Sequence, residues 1–497
     1  MLAVARPRGV VAARRGLATQ LLPTWPEKEL TAWTSLLPSC KKTANLATLE
    51  ESLVRNHVKY CLPAFVDMHG VPKTKLVPVD HAVSMCRGSE LFTGAALDGV
   101  PQDVSDNEVC AVADAALGGF AMPHQRDVAW FPASLYLDGA PFEACSRNIY
   151  ARAAQRAKDM GFLMKLGIEA EFFVFRQDGK RPPEDHQRMA PVSSLPDLVR
   201  PAYDAVRLLD NLPWLDELVS AMQELGWGVY SFDHEDGTGQ VEIDFDFCEA
   251  GEMADRFVLL RSMANAIARK HGAYATWMPK PMAERTGSGA HLNVSLHAYE
   301  TEANVFKDAA DARGLGLSQT AYHFCAGLLA HLPALTAVAC PTVNSYKRLV
   351  KQGSMSGFTW APVFACYGDN NRTNAIRVPA PGRLEIRAAD PSYNPYLVAA
   401  FALTAGLDGI AKKLDPGDPF TENMYLKSQA ELDALGVTSL PRTLGDAVEA
   451  FAADDLAREC FGPKMHDAWV AFKRDEWLGY LNHVSDWEKD RYLHMFV

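Results

Sequence analysis

The segment Gln-Val-Glu-Ile-Asp-Phe-Asp at residues 240–246 alternates polar and apolar side chains, and this alternation decides the fold. Residues two apart in a β-strand share a face, so the carboxylates lie on one side and the apolar residues on the other. The pattern recurs in Gly-Ile-Glu-Ala-Glu-Phe-Phe (167–173) and at 291–295 and 383–387. Converging strands of this kind form a concave acidic wall, which suits hard divalent cations such as Mg²⁺ and Mn²⁺.

Six side chains in and beside these segments are candidate metal ligands. The alternative is that each segment is a half-solvated strand of a one-sided antiparallel sheet. Spacing alone does not show that the segments meet. The candidates are Glu169, Glu171, Glu235, Glu242, His291 and Glu385.

Composition narrows the class of protein. The chain has 497 residues, 48% of them hydrophobic and 22% charged, and this is typical of an enzyme with a large core. Its net charge of −12 argues against a nucleic-acid partner. The ten cysteines include no Cys-x-x-Cys pair, which predicts reduced thiols rather than a disulfide framework or zinc site. No uncharged apolar run is long enough to span a bilayer, so no membrane partner is expected.

The N-terminal segment differs from the rest of the chain. Residues 1–26 contain four arginines and no acidic residue. This composition is typical of a transit peptide, which we assign to residues 1–34 and which predicts a mitochondrial matrix or plastid location, with the cytoplasm otherwise. The alternative is a basic tail without a targeting role.

Local patterns place several other elements. An apolar strand at 59–67, a turn at 68–72 and a second strand at 73–78 predict a hairpin. Residues 251–271 and 318–332 have helical periodicity, and Pro333 and Pro341 mark where the second helix must end.

Eight motifs then follow one another in an order that resembles the glutamine synthetase family. The closest resemblance is to the bacterial branch that makes γ-glutamylmethylamide. The motifs are Gly-Ile-Glu-Ala-Glu-Phe-Phe (167–173), Asp-His-Glu-Asp-Gly-Thr-Gly-Gln-Val-Glu (233–242), Met-Pro-Lys-Pro (278–281), Gly-Ser-Gly-Ala-His (287–291), Pro-Thr-Val-Asn-Ser-Tyr-Lys-Arg-Leu (341–349), Asn-Asn-Arg-Thr-Asn-Ala-Ile-Arg-Val-Pro (370–379), Arg-Leu-Glu-Ile-Arg (383–387) and Asn-Pro-Tyr-Leu (394–397).

The resemblance implies a fold and an activity. The implied fold is α+β, with a small N-terminal β-grasp domain at 35–140. A catalytic domain at 141–497 then holds a curved antiparallel sheet, a half-barrel flanked by helices. The implied reaction joins the γ-carboxylate of L-glutamate to ammonia or a small amine, with ATP as co-substrate and γ-glutamyl phosphate as intermediate. Family members are ring-shaped homo-oligomers with active sites between subunits.

The resemblance also implies roles for individual residues. Two divalent ions, Mg²⁺ or Mn²⁺, would be held by Glu171, Glu235 and Glu242 and by Glu169, His291 and Glu385. Arg348, Arg387 and Gly287 match glutamate-binding positions, whereas Arg372, Arg377 and Glu235 match catalytic ones. Asn293 and Ser295 match residues near ATP, and Tyr203 corresponds to a tyrosine near the amine pocket.

Two positions depart from ammonia-using members of the family. Thr93 and Trp360 stand where an aspartate and a flap glutamate would bind ammonium. Neither supplies negative charge, whereas an indole face attracts a cation and suits a methyl group. The substitutions predict that methylamine is favoured over ammonia.

Three other readings remain open. They are an ordinary glutamine synthetase, a ligase with a polyamine acceptor, and a catalytically inert assembly protein. Retention of all six ligand positions disfavours the last, since buried carboxylates without a cation are costly.

Overall fold

The computed structural model describes residues 46–114, 119–177, 192, 195–351, 357 and 359–496, and it organises them around two sheets. The predicted transit segment at 1–34 lies outside these residues, as do 178–191. The strands of the first sheet are β1 (Tyr60–Val66), β2 (Pro72–Lys73), β3 (Val77–Pro78), β4 (Glu90–Phe92), β5 (Val109–Ala113), β6 (Phe120–Met122), β7 (Gln125–Leu137) and β8 (Ala140–Pro141).

The second sheet follows in the chain and carries the acidic motifs. Its strands are β9 (Phe162–Arg176), β10 (Val229–His234), β11 (Gln240–Phe245), β12 (Cys248–Glu249), β13 (Ala273–Thr276), β14 (Ala290–Ala298), β15 (Phe364–Gly368), β16 (Asn374–Arg377) and β17 (Leu384–Ile386).

Helices cover these sheets and form the C-terminal part of the chain. They are α1 (Leu46–Arg55), α2 (Ala82–Cys86), α3 (Ser146–Asp159), α4 (Ala205–Asp210), α5 (Leu212–Glu224), α6 (Ala250–Lys270), α7 (Gln319–Ala330), α8 (Leu332–Ala339), α9 (Pro395–Lys412), α10 (Gln429–Ala434), α11 (Leu444–Ala452), α12 (Asp455–Phe461), α13 (Pro463–Leu481) and α14 (Asp486–Tyr492).

The first sheet is built on the predicted hairpin. Phe65 pairs with Lys73 and Cys61 with Val77, so β1 is antiparallel to both β2 and β3, which confirms the prediction. Strand β1 also runs parallel to β7, while the other pairs in this sheet are antiparallel.

The second sheet has the order β10-β11-β9-β14-β17-β16-β15. Its pairs are antiparallel except β15 with β16. Alternation along β9 explains its position, since Ile168, Ala170 and Phe172 are buried in the core while Glu169 and Glu171 occupy the intervening positions. The predicted α+β class with an antiparallel catalytic sheet is confirmed.

Helix α9 is buried along nearly its whole length and packs against α7. A Cβ on Gly409 would lie 2.1 Å from the His323 carbonyl oxygen, so glycine permits this close approach. The second predicted helix ends before Pro333, since α7 ends at Ala330. Pro333 itself lies in the first turn of α8, where its missing N–H costs no hydrogen bond, and α8 ends at Ala339, before Pro341. Among the described helices none is singly long and apolar enough to cross a membrane; α7 and α8 qualify only as a pair bent by 75°.

A buried ion cluster links the first sheet to helices α3 and α6. Arg147 of α3 lies 3.1 Å from the Asp114 carboxylate after β5 and 2.8 Å from that of Asp255 in α6. The Tyr396 hydroxyl also donates to Asp255. All three charged side chains are nearly inaccessible to solvent, so each charge depends on its partners.

Candidate active site

A cavity of about 790 Å³ opens beside the second sheet and is lined mainly by charged side chains. It brings together twelve of the predicted site residues, which come from four strands and the loops between them. Those residues are Glu169, Glu171, Tyr203, Glu235, Glu242, Gly287, His291, Arg348, Trp360, Arg372, Arg377 and Arg387.

Glu171, Glu235 and Glu242 form the first carboxylate cluster. Glu242 of β11 pairs directly with Glu171 of β9, and Glu235 lies in the turn between β10 and β11. One oxygen from each of the three lies within 4.8 Å of the others. Burial and then the neighbouring carboxylates raise the pKa of Glu235 to about 8 and hold that of Glu242 well above its usual value. Such a cluster fits a divalent cation, which would offset this repulsion.

Backbone and amide donors fix the orientation of Glu171 within this cluster. Its Oε2 accepts from the Gly289 N–H at 2.8 Å and from the Gln240 side-chain amide at 3.1 Å. A Cβ on Gly289 would lie 2.6 Å from the His291 Nε2 atom, so this position requires glycine. The loop before β14 therefore approaches both clusters closely.

Glu169, His291 and Glu385 form the second cluster, again with ligand atoms within 4.8 Å of one another. The His291 Nδ1 atom lies 3.0 Å from Glu169 Oε2 and 3.4 Å from Glu385 Oε1. Burial opposes ionisation of Glu169, but hydrogen bonds from His291 and Asn293 prevail and lower its pKa to about 2. This set offers nitrogen and oxygen donors of the kind that divalent metals bind.

Glu385 is fully buried and anchors two arginines of the cavity. Arg377 donates to its Oε2 at 2.6 Å, and Arg387 donates to its Oε1. Arg348 donates instead to the carbonyl oxygens of Ala388 at 2.7 Å and Arg387 at 3.0 Å. These contacts fix planar guanidinium groups whose geometry matches carboxylates and phosphates.

The flap at 359–363 forms another wall of the cavity. Trp360 is 43% exposed and has a positive φ of 57°. Its carbonyl oxygen accepts from Arg387 at 3.2 Å, and the next carbonyl, of Ala361, accepts from the Tyr425 hydroxyl at 2.6 Å. The flap backbone is thereby held while the indole lines the cavity.

Tyr203 and Thr93 have different positions relative to this site. Tyr203 lines the cavity, and its N–H donates to the His234 carbonyl at 2.8 Å. Thr93 follows β4 of the first sheet and donates to Glu108 at 3.0 Å. Among the described residues that line the cavity, Thr93 is absent, so this chain alone does not bring it to the site.

Asn293 and Ser295 line a second cavity of about 380 Å³. It adjoins the first, because Glu169, Asp244 and Arg383 line both.

Several residues that line the cavity were not predicted from the sequence. Asp244 follows Glu242 by two residues and Asp233 pairs with Glu242 across the sheet, so alternation was the available signal. Burial first, and then neighbouring carboxylates, raise the pKa of Asp233 to about 6 and of Asp244 to about 7. Asp236 accepts from the Thr286 hydroxyl at 2.6 Å. Arg200 and Arg383 also line the cavity; Arg383 begins the alternating stretch at 383–387, whereas Arg200 lies outside the alternating stretches.

Comparison with known proteins places this geometry in a family. A model described as "Glutamine synthetase, catalytic domain" matches residues 143–492. A glutamate–methylamine ligase from Methyloversatilis universalis is 39% identical over 90% of this chain and 99% of its own length. A glutamine synthetase from Rhizobium leguminosarum is 35% identical over 87% of this chain and 96% of its own. A solved structure, a "GmaS/ADP complex", is 35% identical, with a TM-score of 0.81 over 90% of this chain and 99% of that one.

These relatives confirm the predicted family, the half-barrel fold and the enzyme class. They also show that the predicted mitochondrial or plastid location is wrong, because they come from bacteria such as Rhizobium and from the archaeon Halobacterium salinarum, which have neither organelle. The prediction relied only on a composition rich in arginine and without acidic residues, and such a composition does not by itself identify a targeting signal. The chain belongs to the glutamine synthetase family, whose members are ADP-forming ligases that use ATP and divalent metals.

Proposed function

We propose that the chain joins L-glutamate to a small alkylamine, with methylamine preferred over ammonia, while ATP is converted to ADP and phosphate. The observation that carries this proposal is the cavity in which two carboxylate clusters face Arg348, Arg372, Arg377 and Arg387. A glutamate γ-carboxylate oxygen attacks the γ-phosphorus of ATP, and the bond to ADP breaks. The amine nitrogen then attacks the acyl carbon of γ-glutamyl phosphate, phosphate leaves, and the nitrogen loses a proton.

Two divalent cations, Mg²⁺ or Mn²⁺, fit the donor sets described above. Glu171, Glu235 and Glu242 would hold one, and Glu169, His291 and Glu385 would hold the other. When bound, the cations neutralise charge where the glutamate carboxylate meets the ATP phosphates. The raised pKa of Glu235 supports this assignment, since a carboxyl that is buried and crowded by other carboxyls needs a counter-ion to ionise at neutral pH.

The arginines supply the remaining positive charge. We assign Arg348 and Arg387, with Gly287, to the glutamate carboxylates, because both guanidinium groups are buried and fixed. Arg372 and Arg377 would stabilise the transferring phosphoryl group. Asn293 and Ser295 would contact the nucleotide in the adjoining cavity.

The acceptor pocket is the part that distinguishes an alkylamine from ammonia. The Trp360 indole and Tyr203 line the cavity, and an aromatic face attracts a cationic amine by about 0.5–2 kcal/mol. The similarity to a glutamate–methylamine ligase supports the same acceptor here. We assign Thr93 to this pocket from a neighbouring subunit, with residues 35–140 as the domain that carries it and a ring-shaped homo-oligomer as the assembly.

An amine panel tests the proposal. The purified protein is assayed with glutamate, ATP and Mg²⁺ or Mn²⁺, and kcat/KM is compared for methylamine, ammonia and putrescine. We expect methylamine to be the best acceptor, and a higher efficiency with ammonia would reject it. The Glu385→Gln variant serves as a control, because it should lose activity with every amine. An inert assembly protein would show no glutamate-dependent ATP turnover.

The assembly is tested separately. Light scattering gives the subunit number. Mixing a Thr93→Asp/Glu235→Gln double variant with wild type asks whether one chain completes the pocket of another. If the pocket is shared, the mixture forms sites with an intact metal cluster and an added carboxylate, which neither protein forms alone, and its use of ammonia rises above that of wild type mixed with Glu235→Gln.

A further inference from the structure

Four polar side chains follow one another on a single face of β14: His291, Asn293, Ser295 and His297. His291 belongs to the second carboxylate cluster, whereas Asn293 and Ser295 line the adjoining cavity. His297 is buried at the far end of this row. The hydrogen bonds of His297 determine whether the neighbouring Ser295 hydroxyl donates to a ligand or accepts from it.

The direction of each hydrogen bond at His297 follows from its partners. The Glu302 carbonyl oxygen, 2.8 Å from His297 Nδ1, can only accept, so Nδ1 carries a proton. Burial lowers the pKa of His297, which favours the neutral ring. In that ring Nε2 has no proton and accepts from the Ser295 hydroxyl, 3.1 Å away. The Ser295 oxygen is left with lone pairs for the cavity.

Asn293 does not share this polarity. Its amide nitrogen donates one N–H to Glu169 at 2.9 Å, and because a carboxylate only accepts, the amide cannot be turned around. The same nitrogen carries a second N–H, and the Oδ1 atom is buried. Ser295 is therefore the residue of this row whose acceptor character towards the cavity is set by His297.

We propose that His297 is a positioning residue that keeps the Ser295 hydroxyl an acceptor towards the cavity, so that this position selects nucleotides carrying a hydrogen-bond donor. ATP has donors of two kinds, the exocyclic amine of adenine and the ribose hydroxyls. The inference rests on the proposed function, since it needs ATP in this cavity. Buried acceptors left without a donor are costly, so a ligand lacking the donor is rejected.

Nucleotide analogues distinguish the two donors. Ligase kcat/KM and calorimetric affinity in Mg²⁺ are measured for ATP, ITP, 2′-deoxy-ATP and 3′-deoxy-ATP. ITP carries a carbonyl in place of the amine. We expect at least one analogue to be disfavoured by about tenfold or more. Loss with ITP identifies the amine, and loss with a deoxy analogue identifies the ribose.

Two variants test the role of His297. Ser295→Ala removes the acceptor and should reduce the discrimination towards unity. His297→Phe removes the ring nitrogen, which frees the Ser295 hydroxyl to donate. If the amine is the selected donor, this variant should use ITP better than the wild type does. His323→Phe is the matched control, because His323 also bonds a backbone carbonyl, that of Leu414 at 2.6 Å, and is not among the residues lining either cavity.

The outcomes separate this inference from the proposed function. Equal use of all four nucleotides by the wild type overturns the inference, as does unchanged discrimination in a folded Ser295→Ala or His297→Phe variant. Thermal melting identifies a variant that is not folded, and Ser295→Ala then decides alone. Failure to form any amide from ATP rejects the proposed function instead, and the calorimetric ratios still test the polarity of Ser295.

Discussion

Glu242 lies directly opposite Glu171 on neighbouring antiparallel strands, so two carboxylates occupy a cross-strand pair at one wall of the cavity. Like charges at such positions destabilise a sheet. Here burial adds to the repulsion and holds the pKa of Glu242 well above its usual value. The pair therefore links metal binding to the stability of the sheet.

The first prediction concerns this linkage and the pKa of Glu235, about 8 in the folded chain and near 4.5 when exposed. The native state binds the proton more tightly, so its stabilising effect is complete below pH 4.5 and is lost as pH rises through 8. In EDTA the melting temperature should fall from pH 5 to pH 9. Mg²⁺ should reverse the fall, and Glu235→Gln should flatten it.

Scanning calorimetry across this pH range measures the effect. Glu217→Gln is the control, because Glu217 is an exposed partner of Lys270. An unchanged slope in Glu235→Gln would show that Glu235 ionises normally in the folded protein.

The second prediction concerns Arg348→Lys. Lysine keeps the charge but loses the planar fork that donates to the Ala388 and Arg387 carbonyls. We expect KM for glutamate to rise by about tenfold or more while KM for ATP changes little, since a charge-assisted bond contributes about 1.5–3 kcal/mol. Steady-state kinetics measure this. Arg313→Lys, which alters a surface pair with Asp415, should leave both constants unchanged.

The third prediction concerns Trp360→Ala. Loss of the aromatic face should lower the ratio of methylamine to ammonia efficiency by roughly 2–30-fold, the equivalent of a cation–π contact. Competition assays with both amines report this ratio directly. Trp487→Ala removes an exposed indole near the C-terminus and provides the comparison. If both variants shift the ratio equally, the acceptor is chosen elsewhere.

The fourth prediction concerns Arg147→Met, which leaves the buried carboxylates of Asp114 and Asp255 without their cation. Breaking a buried pair in this way costs about 3–5 kcal/mol, measured as the free energy of unfolding in urea. Additional replacement of both aspartates by asparagine should recover part of the loss. Arg474→Met, at an exposed pair with Glu449, should cost about 0–1 kcal/mol.

Alternation in the sequence predicted which face of each strand carries the carboxylates, as for Glu169 and Glu171 in β9. It did not predict the pairing of Glu242 with Glu171, because register depends on residues far apart in the chain. The motif order predicted how the six acidic and histidine side chains divide into two clusters. Thr93 does not line the cavity of its own chain, so its proposed place in the amine pocket depends on a second copy.

The flap is held through the carbonyl oxygens of Trp360 and Ala361, and every amino acid carries that group. The side chain at position 360 can therefore be exchanged while both of these backbone hydrogen bonds are kept. Glycine and asparagine are the easiest replacements, because they tolerate the positive φ that Trp360 adopts. If Trp360 lines the amine pocket as proposed, one scaffold can thus acquire new amine substrates by changing a single side chain while the loop that presents it stays in place.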